Sequence, residues 1–332
     1  MATIKEIARE TGFSPSTVSI VLRGKAGDRH ISDKTRDLIL STAQRLGYRV
    51  NLAARQLRAN HENRIMLSVF MALDRRANMM THFLLGLQNV AAEYDHPVDI
   101  TIHTYKSGSL SMHSDTIAHT HCAIICNASD EDMIFLDKAR FYVPIVLFLR
   151  KSDIYCTVNI NSPLIGSLAA DIFAGHGRKR AVLLDTQAYY IGMRNTSDAF
   201  LTIAKQHGIT TSHIHEADTM AGGYNGGMAI CKMRPLPDCV FVVSTSMAIG
   251  AVRAFHVSGV DVPGDIEIIS VGTVEPEIAE YASPSVSTVQ LPLDIIAKEC
   301  MRLIFLQLEG KIDAPCAVDI PFTYIARDSC GE

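Results

Sequence analysis

Two stretches near the amino terminus hold the residue types that read nucleic acid. In Thr3-Ile4-Lys5-Glu6-Ile7-Ala8-Arg9-Glu10-Thr11-Gly12-Phe13-Ser14-Pro15-Ser16-Thr17-Val18-Ser19, hydroxyls and cations are interleaved with apolar residues at helical spacing. Asn51-Leu52-Ala53-Ala54-Arg55-Gln56-Leu57-Arg58 adds two arginines beside an apolar side chain. Hydroxyls and guanidinium groups hydrogen-bond to base edges, apolar surface favours the thymine methyl, and cations neutralise phosphates. The formal charge of −4 hides the asymmetry that such chemistry needs. Residues 1–60 carry eleven Lys/Arg against five Asp/Glu, leaving 20 against 30 in the remainder. A basic module on an acidic body is expected, with binding that weakens as salt rises.

Short helices must position these groups. Ile4, Ile7 and Ala8 share one face of a first helix, with Thr3 and Glu6 spaced as a capping box. Gly12 supplies a tight turn, Ser14 caps a second helix, and Pro15 takes the first helical position, where no donor is needed. Val18, Val21 and Leu22 form its buried face. Pro15, Ser16, Ser19, Ile20 and Arg23 lie opposite, free to enter a major groove. A third helix runs from a Ser32 cap through Leu38, Ile39, Ala43 and Leu46 to Gly47.

The 332 residues exceed one ordinary core, so two or three domains are expected. No secretory pattern opens the chain and no apolar run is long enough to span a bilayer, which points to the cytoplasm. The eight cysteines lie scattered in apolar stretches and read as small buried hydrophobes. Strand-like runs recur at 65–73, 98–103, 123–126, 145–149, 180–184, 239–243 and 266–271. Helical patterns lie between most of them. Such alternation implies parallel sheets covered on both faces, with ligands beyond the carboxyl ends of the strands.

Other constellations carry less. His113, His119, His121, Cys122 and Cys126 are soft-ligand types, but on a strand His119 and His121 fall on the opposite face from Cys122. Gly222-Gly223-Tyr224-Asn225-Gly226-Gly227 lacks the Gly-Lys-Ser/Thr of a phosphate loop. No Gly-x-Ser-x-Gly elbow occurs. No enzyme activity, metal or cofactor is expected.

Residues 2–58 resemble the headpiece of the lactose/galactose repressor (LacI/GalR) family. The matching stretches are Ala2-Thr3-Ile4-Lys5-Glu6-Ile7-Ala8, Ser14-x-x-Thr17-Val18-Ser19, Lys34-Thr35-Arg36, Leu46-Gly47-Tyr48 and Asn51-x-x-Ala54-Arg55-x-Leu57. The resemblance implies a transcription regulator, expected to be a repressor, whose second helix reads bases through Pro15, Ser16 and Ile20. Ser16 is then the main hydrogen-bonding reader, and Ile20 suits a thymine methyl. Further implied DNA contacts are Thr3, Lys5, Ser14, Thr17, Ser19, Arg23, Asn51 and Arg55. Lys25 and Arg29, in a loop similar to the fructose-type branch, are candidates for phosphate. Eight residues are too few for a stable isolated helix in water. In the family the 51–58 segment folds on operator DNA, which would make Leu57 a minor-groove wedge with Arg58 beside it.

The rest of the chain is similar to the family's two-lobed, periplasmic-binding-protein-like core. The matches are Ala248-Ile249-Gly250-Ala251-Val252-Arg253-Ala254, Gly259-Val260-x-Val262-Pro263-x-Asp265-Ile266, Ser283-Pro284-x-Val286-Ser287-Thr288-Val289 and Ala326-Arg327-Asp328-Ser329. By the same resemblance, the glycine run from Gly222 to Gly227 falls where a loop feeds a helix. The expected fold is an all-α helix-turn-helix headpiece (1–47), a hinge (48–61) and an α/β core with parallel sheets (62–332). The core would divide into an N-lobe (62–154 plus 287–313) and a C-lobe (155–286 plus 314–332), crossing near 155, 285 and 315. The resemblance also implies a homodimer on a pseudo-palindromic double-stranded operator. No leucine-heptad run of the kind some members use to form tetramers follows Ser329 in this sequence, so a dimer is expected.

The sugar-binding positions of the family are altered. Its strand-ending Asp is Leu149, followed by Arg150, and its pocket Arg is Thr196. Its Asn-Asp pair is Ser244-Thr245 and a further Asp is Val274. Its Asn-Pro-Phe-Phe rim is Asn78-Met79-Met80-Thr81. The candidate effector pocket is Met79, Met80, Asn127, Leu149, Arg150, Arg194, Thr196, Ser244, Thr245 and Val274. It suits an effector less hydroxylated than a sugar, or a sugar phosphate held by Arg150 or Arg194. Regulation without a small molecule, by constitutive binding or a protein partner, is the alternative. A solute receptor or sugar-handling enzyme on the same lobes fits less well with the headpiece.

Overall fold

The computed structural model describes residues 4–22, 31–46, 64–72, 77–94, 97–187, 191–272 and 276–331. The chain divides into two units, one built on the amino-terminal helices and one from Arg64 onward.

In the first unit, α1 (Ile4–Thr11), α2 (Pro15–Leu22) and α3 (Asp33–Arg45) pack around Ile7, Ala8, Val18, Val21, Ile39 and Ala43. The local signals act as their chemistry requires. Gly12 turns the chain at φ +74°, a value only glycine adopts without strain. Ser14 Oγ accepts from the Thr17 amide at 3.1 Å, and Ser32 Oγ accepts from the Thr35 amide at 3.2 Å. Leu22, expected to be buried, is half-buried at the edge of this core. Thr3 of the expected capping box, residues 23–30, and the whole segment from Gly47 to Asn63 lie outside the described residues.

The second unit contains two six-stranded sheets. In chain order its elements begin with β1 (Ile65–Ala72), α4 (Ala77–Ala92), β2 (Val98–Tyr105), α5 (Ser114–His119) and β3 (Cys122–Cys126). Then come α6 (Asp130–Ala139), β4 (Ile145–Phe148), β5 (Cys156–Ile160), α7 (Ser162–Gly175), β6 (Arg180–Asp185) and α8 (Ile191–Gln206). Next are β7 (Thr210–His215), α9 (Met220–Cys231), β8 (Cys239–Val242), α10 (Thr245–Val257), β9 (Glu267–Gly272) and α11 (Pro276–Glu280). The last are β10 (Ser287–Gln290), α12 (Leu293–Leu308), β11 (Ala317–Ile320) and β12 (Thr323–Ile325). The first sheet has the order β11-β5-β4-β3-β1-β2 and is parallel throughout. The second has the order β12-β10-β9-β8-β6-β7, with only β12 antiparallel. Central strands such as β3, β4 and β8 are buried along their full length, as sheets covered on both faces demand.

The chain passes between the sheets later than the expected boundaries. Cys156–Ile160 pairs with β4, so the first sheet continues beyond residue 155. Ser287–Gln290 pairs with β9 in the second sheet, and Ala317–Ile320 returns to β5 in the first. Each passage therefore falls about five residues further along. Short strands that end at a lobe boundary carry the same apolar pattern on either side of it, so pairing alone assigns them.

The glycine run is the second correction. Gly222, Gly223, Gly226 and Gly227 are buried inside α9, whose cap is Thr219 Oγ1 accepting from the Gly222 amide at 3.0 Å. A Cβ on Gly223 would stand 1.9 Å from the Met247 carbonyl oxygen of α10, and one on Gly250 2.0 Å from the Met220 carbonyl oxygen. The glycines let two helices touch backbone to backbone. They hold no phosphate loop.

At the amino-terminal end of the second sheet, Glu267 is buried against Arg178 (Nη2–Oε1 2.7 Å) and His176 (Nδ1–Oε1 3.0 Å). Burial pushes this carboxyl up, but hydrogen bonds from Arg178 and His176 outweigh it and hold the group below the usual carboxylate range. A folded value below the unfolded one stabilises the fold above the unfolded pKa, and that contribution is lost as pH falls through the folded value. The urea midpoint is therefore expected to fall as pH drops below about 4, with a shallower fall in Glu267→Gln. At neutral pH, Glu267→Gln should cost about 3 kcal/mol, because it breaks a buried pair. Equal acid sensitivity in both proteins would assign the effect to other groups.

Candidate nucleic-acid interface and inter-lobe cleft

The face of α2 opposite the headpiece core presents Pro15 and Ser16 exposed, with Thr17, Ser19 and Ile20 half-buried. Ser14 Oγ already caps the helix and lies 2.9 Å from Ser16 Oγ and 2.8 Å from Thr17 Oγ1. Ser14 is therefore committed to the fold, while Ser16 keeps an open side. Lys5 projects from α1 into solvent. These groups share one small rigid body, which a base-reading surface requires. Thr3, Arg23, Lys25, Arg29, Asn51, Arg55, Leu57 and Arg58 lie outside the described residues.

In the second unit, the carboxyl ends of the two sheets enclose a small cavity of about 30 Å³. Leu149, Ile160, Met193, Thr196, Val243 and Val271 are among its lining residues, so it is mainly apolar. Two residues that follow adjacent strands of the first sheet adopt left-handed backbone, Asn127 at φ 52° and Leu149 at φ 60°. Leu149 is a branched residue for which that region is strained, a feature that clusters at ligand sites. Next to it, Arg150 is 8% exposed and places Nη2 2.7 Å from Asp130 Oδ1. Its Nη1 and the Asn127 Oδ1 are buried without a hydrogen-bond partner among the described residues. Buried polar atoms in that condition cost free energy unless a ligand or water supplies the bond.

The other expected pocket residues divide. Thr196 Oγ1 lies 3.1 Å from both the Ser162 and Gly192 carbonyls. Ser244 Oγ donates to Asp218 Oδ1 and caps α10 by accepting from the Met247 amide at 3.3 Å. Thr245 Oγ1 donates to the Val271 carbonyl at 3.1 Å. These three hydroxyls are spent on the fold and do not reach toward a polyol. Met80 is buried, with its sulfur 4.0 Å from Asn127 Nδ2. Arg194 is exposed on α8, and the Met79 side chain and Val274 lie outside the described residues.

Cys122 and Cys126 are fully buried on β3, where burial drives both thiols far above their ordinary range. His119 Nδ1 meets the Asp115 carbonyl at 2.6 Å, and His121 Nδ1 accepts from the Met66 amide at 3.0 Å. A trio that sequence reasoning missed stands at the far edge of the second sheet: Asp185, His213 and His215. His213-x-His215 puts two imidazoles on one face of a strand, but the run Thr210–His215 is too polar to be marked as a strand by hydrophobicity.

Comparisons with known proteins agree with this architecture. Residues 3–51 match the bacterial regulatory proteins of the lacI family, and residues 170–330 match the periplasmic binding protein-like domain. The chain is 24% identical to the HTH-type transcriptional repressor MelR of Bacillus subtilis (strain 168), over 100% of this chain and 98% of that protein. A LacI family transcription regulator from Clostridium acetobutylicum superposes with a TM-score of 0.76 and 27% identity, over 79% of this chain and 99% of the other. The lac repressor dimer bound to operator and the anti-inducer ONPF gives a TM-score of 0.72 at 18% identity, over 100% and 99%. With a capped three-helix head ahead of two parallel-rich lobes, the chain carries a lacI-family helix-turn-helix domain joined to a periplasmic binding protein-like domain.

Proposed function

We propose that the protein is a cytoplasmic, homodimeric repressor that binds a pseudo-palindromic operator through α2, and that its DNA affinity responds to the state of the inter-lobe cleft. The observation that carries this reading is the headpiece: a three-helix body with its own core that leaves Ser16 and Ile20 outward on one helix. Dimerisation is supported by the edge of the first sheet, where Leu85 and Ile102 are 51% and 48% exposed beside a groove between α4 and β2. Apolar exposure along an unpaired edge strand favours a second copy.

Filter binding of genomic fragments tests the function. A small set of fragments should be retained at moderate salt, with affinity falling steeply as salt rises. Retention of no specific fragment would sink the reading in favour of a solute receptor on the same lobes.

The effector is smaller or less hydroxylated than a sugar, or is a sugar phosphate, and is anchored by Arg150 and Asn127. Each has a buried polar atom without a partner among the described residues, whereas Thr196, Ser244 and Thr245 have theirs. Small anions, nucleobases and sugar phosphates are the compounds to screen by thermal shift, and a binder raises the melting temperature by an amount that grows with the logarithm of its concentration above Kd. The narrow cavity supports a second reading, control without a small molecule, which a flat screen would favour.

A further inference from the structure

Asp185 ends β6 with its side chain 7% exposed. On the neighbouring edge strand, β7, His215 lies in register with Asp185 and His213 in register with Leu183, so both imidazoles share the face that Asp185 occupies. His213 Nε2 is 2.8 Å and His215 Nδ1 2.6 Å from the same oxygen, Asp185 Oδ1, and the two rings are 3.9 Å apart between centroids. Neither contact has hydrogen-bond geometry, so Oδ1 is a buried acceptor without a hydrogen-bond partner among the described residues. The other oxygen, Oδ2, is fixed by Ser197 Oγ of α8 donating at 3.0 Å.

Two imidazole nitrogens converging on one carboxylate oxygen, with a hydroxyl orienting the carboxylate from behind, are a cation's ligand set. We propose that Asp185, His213 and His215 bind one divalent transition-metal cation of borderline softness, such as zinc, with Ser197 as the positioning residue. Ligand bonds of about 2.1 Å place tetrahedral ligand atoms about 3.4 Å apart, so the histidines must swing outward by less than 1 Å. Their exposure permits it, since the side chains of His213 and His215 are 34% and 61% accessible. Solvent or another donor completes the coordination. The second cluster of ligand types, His176, Glu267 and Cys330, is unlike this one because Arg178 already holds its carboxylate at 2.7 Å. The Asp185 site borders the cleft through α8, whose Gly192, Met193 and Thr196 line the cavity. A bound cation would tie the ends of β6 and β7 to that helix.

The full chain, stripped with a chelator, should take up one Co²⁺ per chain. Its visible bands should be those of a nitrogen–oxygen site without thiolate charge transfer, and Zn²⁺ should displace it. His215→Gln, a change at an exposed position, should weaken uptake about ten-fold or more, and His213→Gln/His215→Gln should remove it while circular dichroism stays unchanged. His176→Gln should leave uptake as it was. Absence of uptake at millimolar Co²⁺ and Zn²⁺ would overturn the proposal. So would uptake that survives the double substitution, depends on His176, or shows thiolate bands.

Discussion

Gly223→Ala is expected to destabilise the core by about 3 kcal/mol or more. The added methyl would lie 1.9 Å from the Met247 carbonyl oxygen, 2.5 Å from its carbonyl carbon and 2.6 Å from its Cα. These are backbone atoms in the first turn of α10, so no rotamer change relieves the clash. The helix must move, and with it Thr245, whose hydroxyl ties α10 to the Val271 carbonyl near the carboxyl end of β9, and the Ser244 cap. Gly226→Ala meets the Leu184 side chain at 2.4 Å, which can give somewhat, and should cost less. Gly175→Ala, at the end of α7 with nothing within 4 Å, should be neutral or stabilising by about 0.5 kcal/mol. Urea denaturation of the three variants checks this ranking. Equal midpoints for Gly223→Ala and Gly175→Ala would show that the helix contact is not tight in solution.

The second large effect concerns DNA. Leu57→Ala should lower operator affinity about ten-fold or more and reduce the bend, because an inserted apolar wedge exchanges unstacking for a wider protein–DNA surface. The loss should be similar for any sequence with a deformable central step. Ser16→Ala should behave differently, lowering discrimination at one base position by about 1–3 kcal/mol and leaving the bend alone. Gel shifts on circularly permuted fragments separate the two effects. Unchanged affinity and bend in Leu57→Ala would refute the wedge, while the base-reading role of α2 would still be judged on Ser16.

The headpiece was legible because its signals are local. Ser14 and Ser32 cap helices within three residues of themselves, and Gly12 makes its turn alone. The central strands were legible because burial on both faces leaves continuous apolar runs, such as Cys122–Cys126 and Ile145–Phe148. The edge strand Thr210–His215 was not, because one side of it meets water and its composition is polar. The glycines of α9 misled for a related reason: local propensity reads them as loop, and only the backbone of α10 explains them.

The candidate cleft shows the same division. Its first-lobe positions, Leu149 and Arg150, follow from resemblance, but the left-handed backbone of Leu149 and the burial of Arg150 do not. Thr196, Ser244 and Thr245 were read as candidates for a ligand, and the fold spends their hydroxyls on main-chain and capping bonds. A side chain's free valences depend on partners far away in the chain, and no spacing rule reports them.

The sequence by itself determined that this protein carries a DNA-reading head on an α/β body, because helix caps and buried strands are written in neighbouring residues. Tertiary structure alone decided which lobe each boundary strand joins, why α9 is built of glycine, which polar atoms of the cleft remain available, and that Asp185 meets His213 and His215. Those outcomes depend on the pairing of segments tens of residues apart, where only the folded geometry selects among many equally plausible partners.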